Sequence, residues 1–217
     1  WTAPDPGEGG AQAFGYAVTV DPNTHKVFAS TLGATAMISD DRGIEWHPVG
    51  VDYAARESRA IQVDRTEWNR VYSGSFYSGV FKSQDGGATW SQRTFGSGFP
   101  YPWAVVPDPV LDNIVYAGTQ GEGAWKSYDY GDTWTQIAGL PTVVQGITVD
   151  PRNDNVVFFG TSAGVLRTQD AGQTFTNVLP RAAWTITITG GDSAVVYATT
   201  KSSGVYRSVD GGSTFTA

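Results

Sequence analysis

The chain has 217 residues and a formal net charge of −7, with 16% charged residues, 27 glycines, 11 prolines and 28 aromatic residues counted as 10 Tyr, 10 Phe and 8 Trp. That balance excludes phosphate-backbone recognition as the working surface. No apolar run nears the roughly 20 residues of a spanning helix. The absence of Cys removes thiol chemistry, thiolate zinc sites and disulfides.

Short aromatic strands and tight turns fit this composition better than helices do. In chain order, residues 1–13 form a Gly- and Pro-rich head, and strand-like segments then follow in groups. The second group reads Ala60-Ile61-Gln62-Val63-Asp64, Val71-Tyr72-Ser73-Gly74 and Gly79-Val80-Phe81-Lys82. Each group closes on one phrase, Ser/Thr-x-Asp-x-Gly-x-Thr-Trp/Phe. Its copies are 39–46, 83–90, 127–134, 168–175 and 208–215.

The central aspartates are Asp41, Asp85, Asp129, Asp170 and Asp210, spaced 40 to 44 residues apart. That period matches one four-stranded propeller blade. An Asp followed two residues later by Gly suits a tight turn, with the carboxylate accepting backbone amides and the glycine supplying positive φ. These aspartates are expected to make turns, and the closing aromatics to pack between blades. The first copy has Glu45 in place of Thr, so its turn is expected to be less regular.

The phrase resembles the Asp box, or bacterial neuraminidase repeat, of sialidases, xyloglucan-degrading glycosidases and sortilin-type receptors. The resemblance covers nearly the whole chain. It implies an all-β five-bladed β-propeller of four-stranded antiparallel blades, with one box in each. The expected blades are 14–50, 51–97, 98–142, 143–180 and 181–217 of a single domain, with residues 1–13 completing the last.

Antiparallel a-b-c-d connectivity puts the boxes on one face and the d-to-a and b-to-c loops on the other. The innermost strands are expected to begin at Ala17, Ala60, Ala104, Gly146 and Thr185. The residues just before them, Tyr16, Arg59, Trp103, Gln145 and Trp184, then ring the channel mouth. Tyr53, Arg56, Glu57, Phe99, Tyr101 and Arg181 join them from d-to-a loops, and Phe76, Tyr77 and Glu122 from b-to-c loops. Flat rings that stack on sugars, beside Arg and Gln that bond hydroxyls, suit a carbohydrate. Plugging of the axis is the alternative for the same side chains.

Glycoside hydrolysis needs two carboxylates across a cleft. Glu8, Asp52, Glu57 and Glu122 are the acids on mouth loops, and none lies in a recognisable catalytic motif. The sialidase carboxylate clamp, which the resemblance would imply, lacks its Arg-Ile/Leu-Pro phrase here. His25 and His47 fall on separate surfaces, so no metal site is expected, and no cofactor. The expected function is glycan binding at the mouth, with a glycoside hydrolase or a protein-interaction scaffold as alternatives. A low-charge chain rich in Trp and Tyr also points to an extracellular setting, without nucleic-acid or membrane-inserting roles.

Overall fold

The computed structural model describes residues 14–32, 35–55, 57–96, 100–189 and 195–217, with the side chains of Phe14 and Leu32 outside that set. Every regular element among them is a strand. The first blade is β1 (Phe14–Val20), β2 (Val27–Leu32), β3 (Met37–Ser39) and β4 (His47–Pro48). The second is β5 (Ser58–Val63), β6 (Val71–Ser75), β7 (Gly79–Ser83) and β8 (Ser91–Arg93). The third is β9 (Pro102–Pro107), β10 (Val115–Thr119), β11 (Ala124–Ser127) and β12 (Thr135–Ile137).

The fourth blade is β13 (Val144–Asp150), β14 (Asn153–Thr161), β15 (Gly164–Thr168) and β16 (Thr176–Leu179). The fifth is β17 (Ala183–Ile188), β18 (Val196–Thr200) and β19 (Val205–Ser208). Strands neighbour one another in chain order within every sheet. This is the five-bladed β-propeller fold, all-β, with antiparallel blades. In the fifth blade a single bridge between Arg207 and Thr216 stands where the fourth strand was expected. The segment expected to complete it, 1–13, lies outside the described residues.

The chain divides into two compact units, Trp1–Val105 and Val106–Ala217. The first unit's core joins Phe28 and Ile38 of blade 1 to Ile61, Val63, Val71, Phe81 and Trp90 of blade 2. The second unit's core joins Phe158 and Val165 of blade 4 to Ile186, Val196 and Ala198 of blade 5. Alternation along each strand sends one side chain into such a cluster and the next to the opposite face.

All five boxes form the same turn. In blade 2, Asp85 Oδ1 accepts from the Thr89 amide at 2.8 Å and from Ser83 Oγ at 2.8 Å, and Oδ2 accepts from Thr89 Oγ1 at 2.5 Å. The Gly87 amide closes the turn on Ser83 Oγ at 2.9 Å, and Trp90 Nε1 donates to Gly87 O at 3.0 Å. Two consecutive residues take positive φ in every copy: Arg42 and Gly43, Gly86 and Gly87, Tyr130 and Gly131, Ala171 and Gly172, Gly211 and Gly212. The first box is more regular than its sequence suggests. Its Ile44 and Glu45 amides bond Asp41 at 3.0 and 2.9 Å, so Glu45 forfeits only the hydroxyl bond.

Of the closing aromatics, only Trp90 is fully buried; Trp46, Trp134, Phe175 and Phe215 are half-buried. A second aspartate series caps the a-to-b turns. Asp21, Asp64, Asp108 and Asp150 are all buried and accept amides two or three residues on, as Asp64 does from Thr66 at 2.9 Å. Asp64 and Asp150 also hold Arg70 and Arg152 at 2.9 and 2.6 Å.

Candidate functional site

The innermost strands start earlier than expected, at Phe14, Ser58, Pro102, Val144 and Ala183. The reason is a recurring bulge. Pairing with the second strand shifts between Gly15 and Ala17, between Ser58 and Ala60, between Val144 and Gly146, and between Ala183 and Thr185. The extra residues are Tyr16, Arg59, Gln145 and Trp184, and Trp103 holds the matching sequence position. A bulge places two residues opposite one and re-aims the side chain it inserts. The positions chosen from sequence as a ring are therefore the points at which four of these strands depart from regular pairing.

In the first unit this device assembles a cluster. The Arg59 guanidinium lies 4.8 Å from the Tyr16 ring centroid, 4.7 Å from Phe76 and 4.7 Å from Trp103. Each such contact contributes about 0.5–2 kcal/mol, rising as water is excluded. Arg59 Nε is buried without a hydrogen-bond acceptor among the described residues. The rings continue outward from Phe76 to Tyr77 at 4.2 Å and to Tyr101 at 4.8 Å, with Tyr77 and Tyr101 5.1 Å apart. Tyr16 and Tyr77 are exposed, while Phe76, Tyr101 and Trp103 are half-buried.

Local backbone explains the placement. The Phe76 amide and Ser75 Oγ both donate to Glu57 O, at 3.0 and 2.9 Å, tying the b-to-c loop to the start of β5. Tyr77 then turns outward with a φ of 70°. The other b-to-c loops repeat for a geometric reason, since Thr119, Thr161 and Thr200 each donate Oγ1 to the carbonyl of Gly123, Gly164 or Gly204.

Tyr53, expected at the mouth, packs inward instead. Its ring lies 4.7 Å from Phe81 and 5.0 Å from Trp90, and its hydroxyl bonds Ser73 Oγ at 2.6 Å. Burial pushes this phenol above its ordinary pKa. The d-to-a loop thus contributes packing at Tyr53 and surface at Tyr101. Arg56, Phe99 and Glu8 lie outside the described residues. In the second unit, Gln145 is half-buried and Trp184 exposed. The two strands that carry them run close, because a Cβ on Gly146 would fall 2.5 Å from Trp184 O. Arg181 sits over the Tyr206 ring at 5.7 Å and donates to Ser203 Oγ at 3.3 Å.

No cluster of three or more metal-ligating His, Cys, Asp or Glu side chains occurs among the described residues. His47 bonds Asp40 at 2.8 Å, which raises its pKa, and Asp40 also holds Lys26 at 3.2 Å. The five box carboxylates sit below the ordinary carboxylate value. For Asp41 the Glu45 amide is the main cause. Burial pushes Asp85 and Asp129 up, and the bonds from Thr89 and Thr133 outweigh it. The Thr168 and Thr214 hydroxyls lead for Asp170 and Asp210. Carboxylates so stabilised as anions are poor proton donors.

No family model and no curated protein matches the sequence. Solved structures do match in fold. The GH74 enzyme of Niastella koreensis superposes with a TM-score of 0.79 at 20% identity, over 94% of this chain and 37% of that one. The GH74 xyloglucanase of Xanthomonas campestris superposes with a TM-score of 0.66 at 16% identity, over 94% of this chain and 46% of that one. The extracellular domain of a two-component system from B. thetaiotaomicron gives 0.74 at 13% identity, over 94% and 28%. These likenesses establish the β-propeller fold, and the chain spans less than half the length of each of these proteins.

Proposed function

We propose that this chain binds a polysaccharide on the ring cluster around Arg59, without cleaving it. The observation that carries this reading is the stacking of one guanidinium among Tyr16, Phe76 and Trp103, with Tyr77 and Tyr101 extending the aromatic surface outward. Sugar rings present C–H faces to aromatic planes and hydroxyls to donors, and the cluster offers both within one patch. The fold's likeness to a xyloglucanase supports a glycan as the ligand class. Gln145 and Trp184, at the equivalent bulges of the second unit, are proposed as ligand contacts of that unit in its own right. An extracellular setting is supported by low surface charge and by the extracellular domain among the matching structures.

Isothermal titration calorimetry with xyloglucan, mixed-linkage β-glucan and polygalacturonate tests the reading. Saturable binding to at least one is expected, without release of reducing ends. A chain that binds none of them, or one whose binding survives removal of Tyr77 and Tyr101 together, overturns it.

A further inference from the structure

The two ends of the β5–β6 strand pair treat a half-buried arginine in opposite ways. At one end Arg70 donates to the buried Asp64 at 2.9 Å, and its charge is neutralised. At the other end the Arg59 guanidinium meets only the rings of Tyr16, Phe76 and Trp103, at 4.7 to 4.8 Å. Within its own unit and among the described residues, Arg59 forms no ion pair, and its Nε is buried with no acceptor. A ring face attracts a cation but is a poor hydrogen-bond acceptor, so the cluster holds the charge without using its N–H donors. A buried cation left this way gains from any anion that can enter the plane of the guanidinium.

The chain's net charge of −7 opposes an anionic ligand, and distance decides how much that matters. A strand rises about 3.3 Å per residue, so Asp64, five positions after Arg59, stands about 16 Å away along β5. The registers put Asp21, Asp41 and Asp85 at that same far end of their strands. Charges separated by more than the screening length, about 8 Å at physiological salt, are largely hidden from one another. Glu57 is the acid nearest in sequence. Its carbonyl accepts from the Phe76 amide and Ser75 Oγ, and its carboxylate makes no ion pair with Arg59. The local field at the cluster is therefore that of the unpaired guanidinium.

Granted polysaccharide binding at this cluster, we propose that the ligand is an acidic polysaccharide, a chain carrying hexuronate units, with one carboxylate paired to Arg59. A uronate joins a C–H face that stacks on aromatic rings to a carboxylate on the same ring. Phe76 lies 4.7 Å from the Arg59 guanidinium, 4.2 Å from the Tyr77 ring and 4.8 Å from the Tyr101 ring, so a short run of linked sugars reaches both the charge and the outer planes. A carboxylate takes two parallel bonds from one guanidinium edge, whereas a neutral hydroxyl takes one and leaves the charge uncompensated. Selectivity for the acid form follows from that difference.

Titration calorimetry of the full chain with polygalacturonate, and with the same polymer fully methyl-esterified, isolates the charge at neutral pH and about 0.15 M salt. The acid form is expected to bind at least about tenfold tighter than the ester, the gain of a charge-assisted pair. Arg59→Gln is expected to bring the two forms within about twofold of each other, a ratio unaffected by any loss that both share. Arg59→Met takes its place if that variant fails to fold. An ester bound as tightly as the acid, or a preference that survives replacement of Arg59, overturns the charge assignment and leaves polysaccharide binding standing. Failure of both polymers, of xyloglucan and of β-glucan to bind removes both readings. Poly-L-glutamate that binds where polygalacturonate does not, with the same dependence on Arg59, would assign the cluster to an acidic protein segment instead.

Discussion

Gly212 stands against the ring of Phe158, close enough that a methyl group in its place would lie 2.3 Å from Cε1 and 2.4 Å from Cζ. Its φ of 77° already belongs to the left-handed region. Gly212→Ala therefore meets two costs, backbone strain and overpacking of a fully buried ring, of about 2–5 kcal/mol together. Gly204, at a φ of 82° with open space around its Cβ position, separates them. Gly204→Ala is expected to cost only about 1 kcal/mol. Urea denaturation of the two variants checks the order, and equal losses would refute the packing argument.

Removing a box carboxylate should weaken the fold and leave binding intact. Asp85 accepts three bonds within its own eight-residue phrase, so Asp85→Ala is expected to lower stability by about 1–3 kcal/mol. Polysaccharide affinity measured below the transition temperature should match the wild type. An affinity loss of tenfold or more would place the box in the ligand site instead.

The same carboxylates give stability a definite pH dependence. Asp41, Asp85, Asp129, Asp170 and Asp210 all have folded pKa values below 3.8. Below that value the unfolded chain takes up protons that the folded chain resists. Their contribution is therefore complete above about pH 4 and is lost as pH falls through the folded values. Asp108, whose pKa burial raises, opposes this trend singly. His47, held by Asp40, contributes in the other direction, losing its share as pH rises through its raised pKa. Calorimetric Tm is expected to fall steeply below about pH 4 and drift down gently above about pH 7. Asp85→Asn should flatten the acid limb.

At the ring cluster, size and planarity should matter separately. Tyr77→Ala and Tyr101→Ala are each expected to weaken polysaccharide binding about tenfold, the loss of one stacking plane worth about 1–1.5 kcal/mol. Arg59→Lys keeps the charge but loses the flat face packed on Tyr16, Phe76 and Trp103, and is expected to weaken binding similarly. Tyr53→Phe removes only hydroxyl bonds to Ser58 and Ser73, inside the core, and should leave affinity unchanged. Titration calorimetry reads all four.

The repeat and its turns were legible in the residues because their causes are local. An Asp, a Ser or Thr and a Gly within eight positions satisfy one another, so the phrase alone shows where each blade folds back. The early aspartates Asp21, Asp64, Asp108 and Asp150 follow an equally local logic, and their recurrence at the ends of four first strands is a sequence signal of the same kind.

Much of the site was decided elsewhere. One inserted residue in four of the innermost strands reverses the side-chain alternation, and no propensity marks which residue bulges. Tyr53 and Tyr101 sit on comparable loops, yet one faces Phe81 and Trp90 and the other Phe76 and Tyr77. By itself the sequence determined the blade period and the turn chemistry, because these rest on hydrogen bonds between near neighbours. Only tertiary structure decided which rings gather around Arg59 and which, like Tyr53, turn into the core, because burial depends on residues brought together from distant parts of the chain.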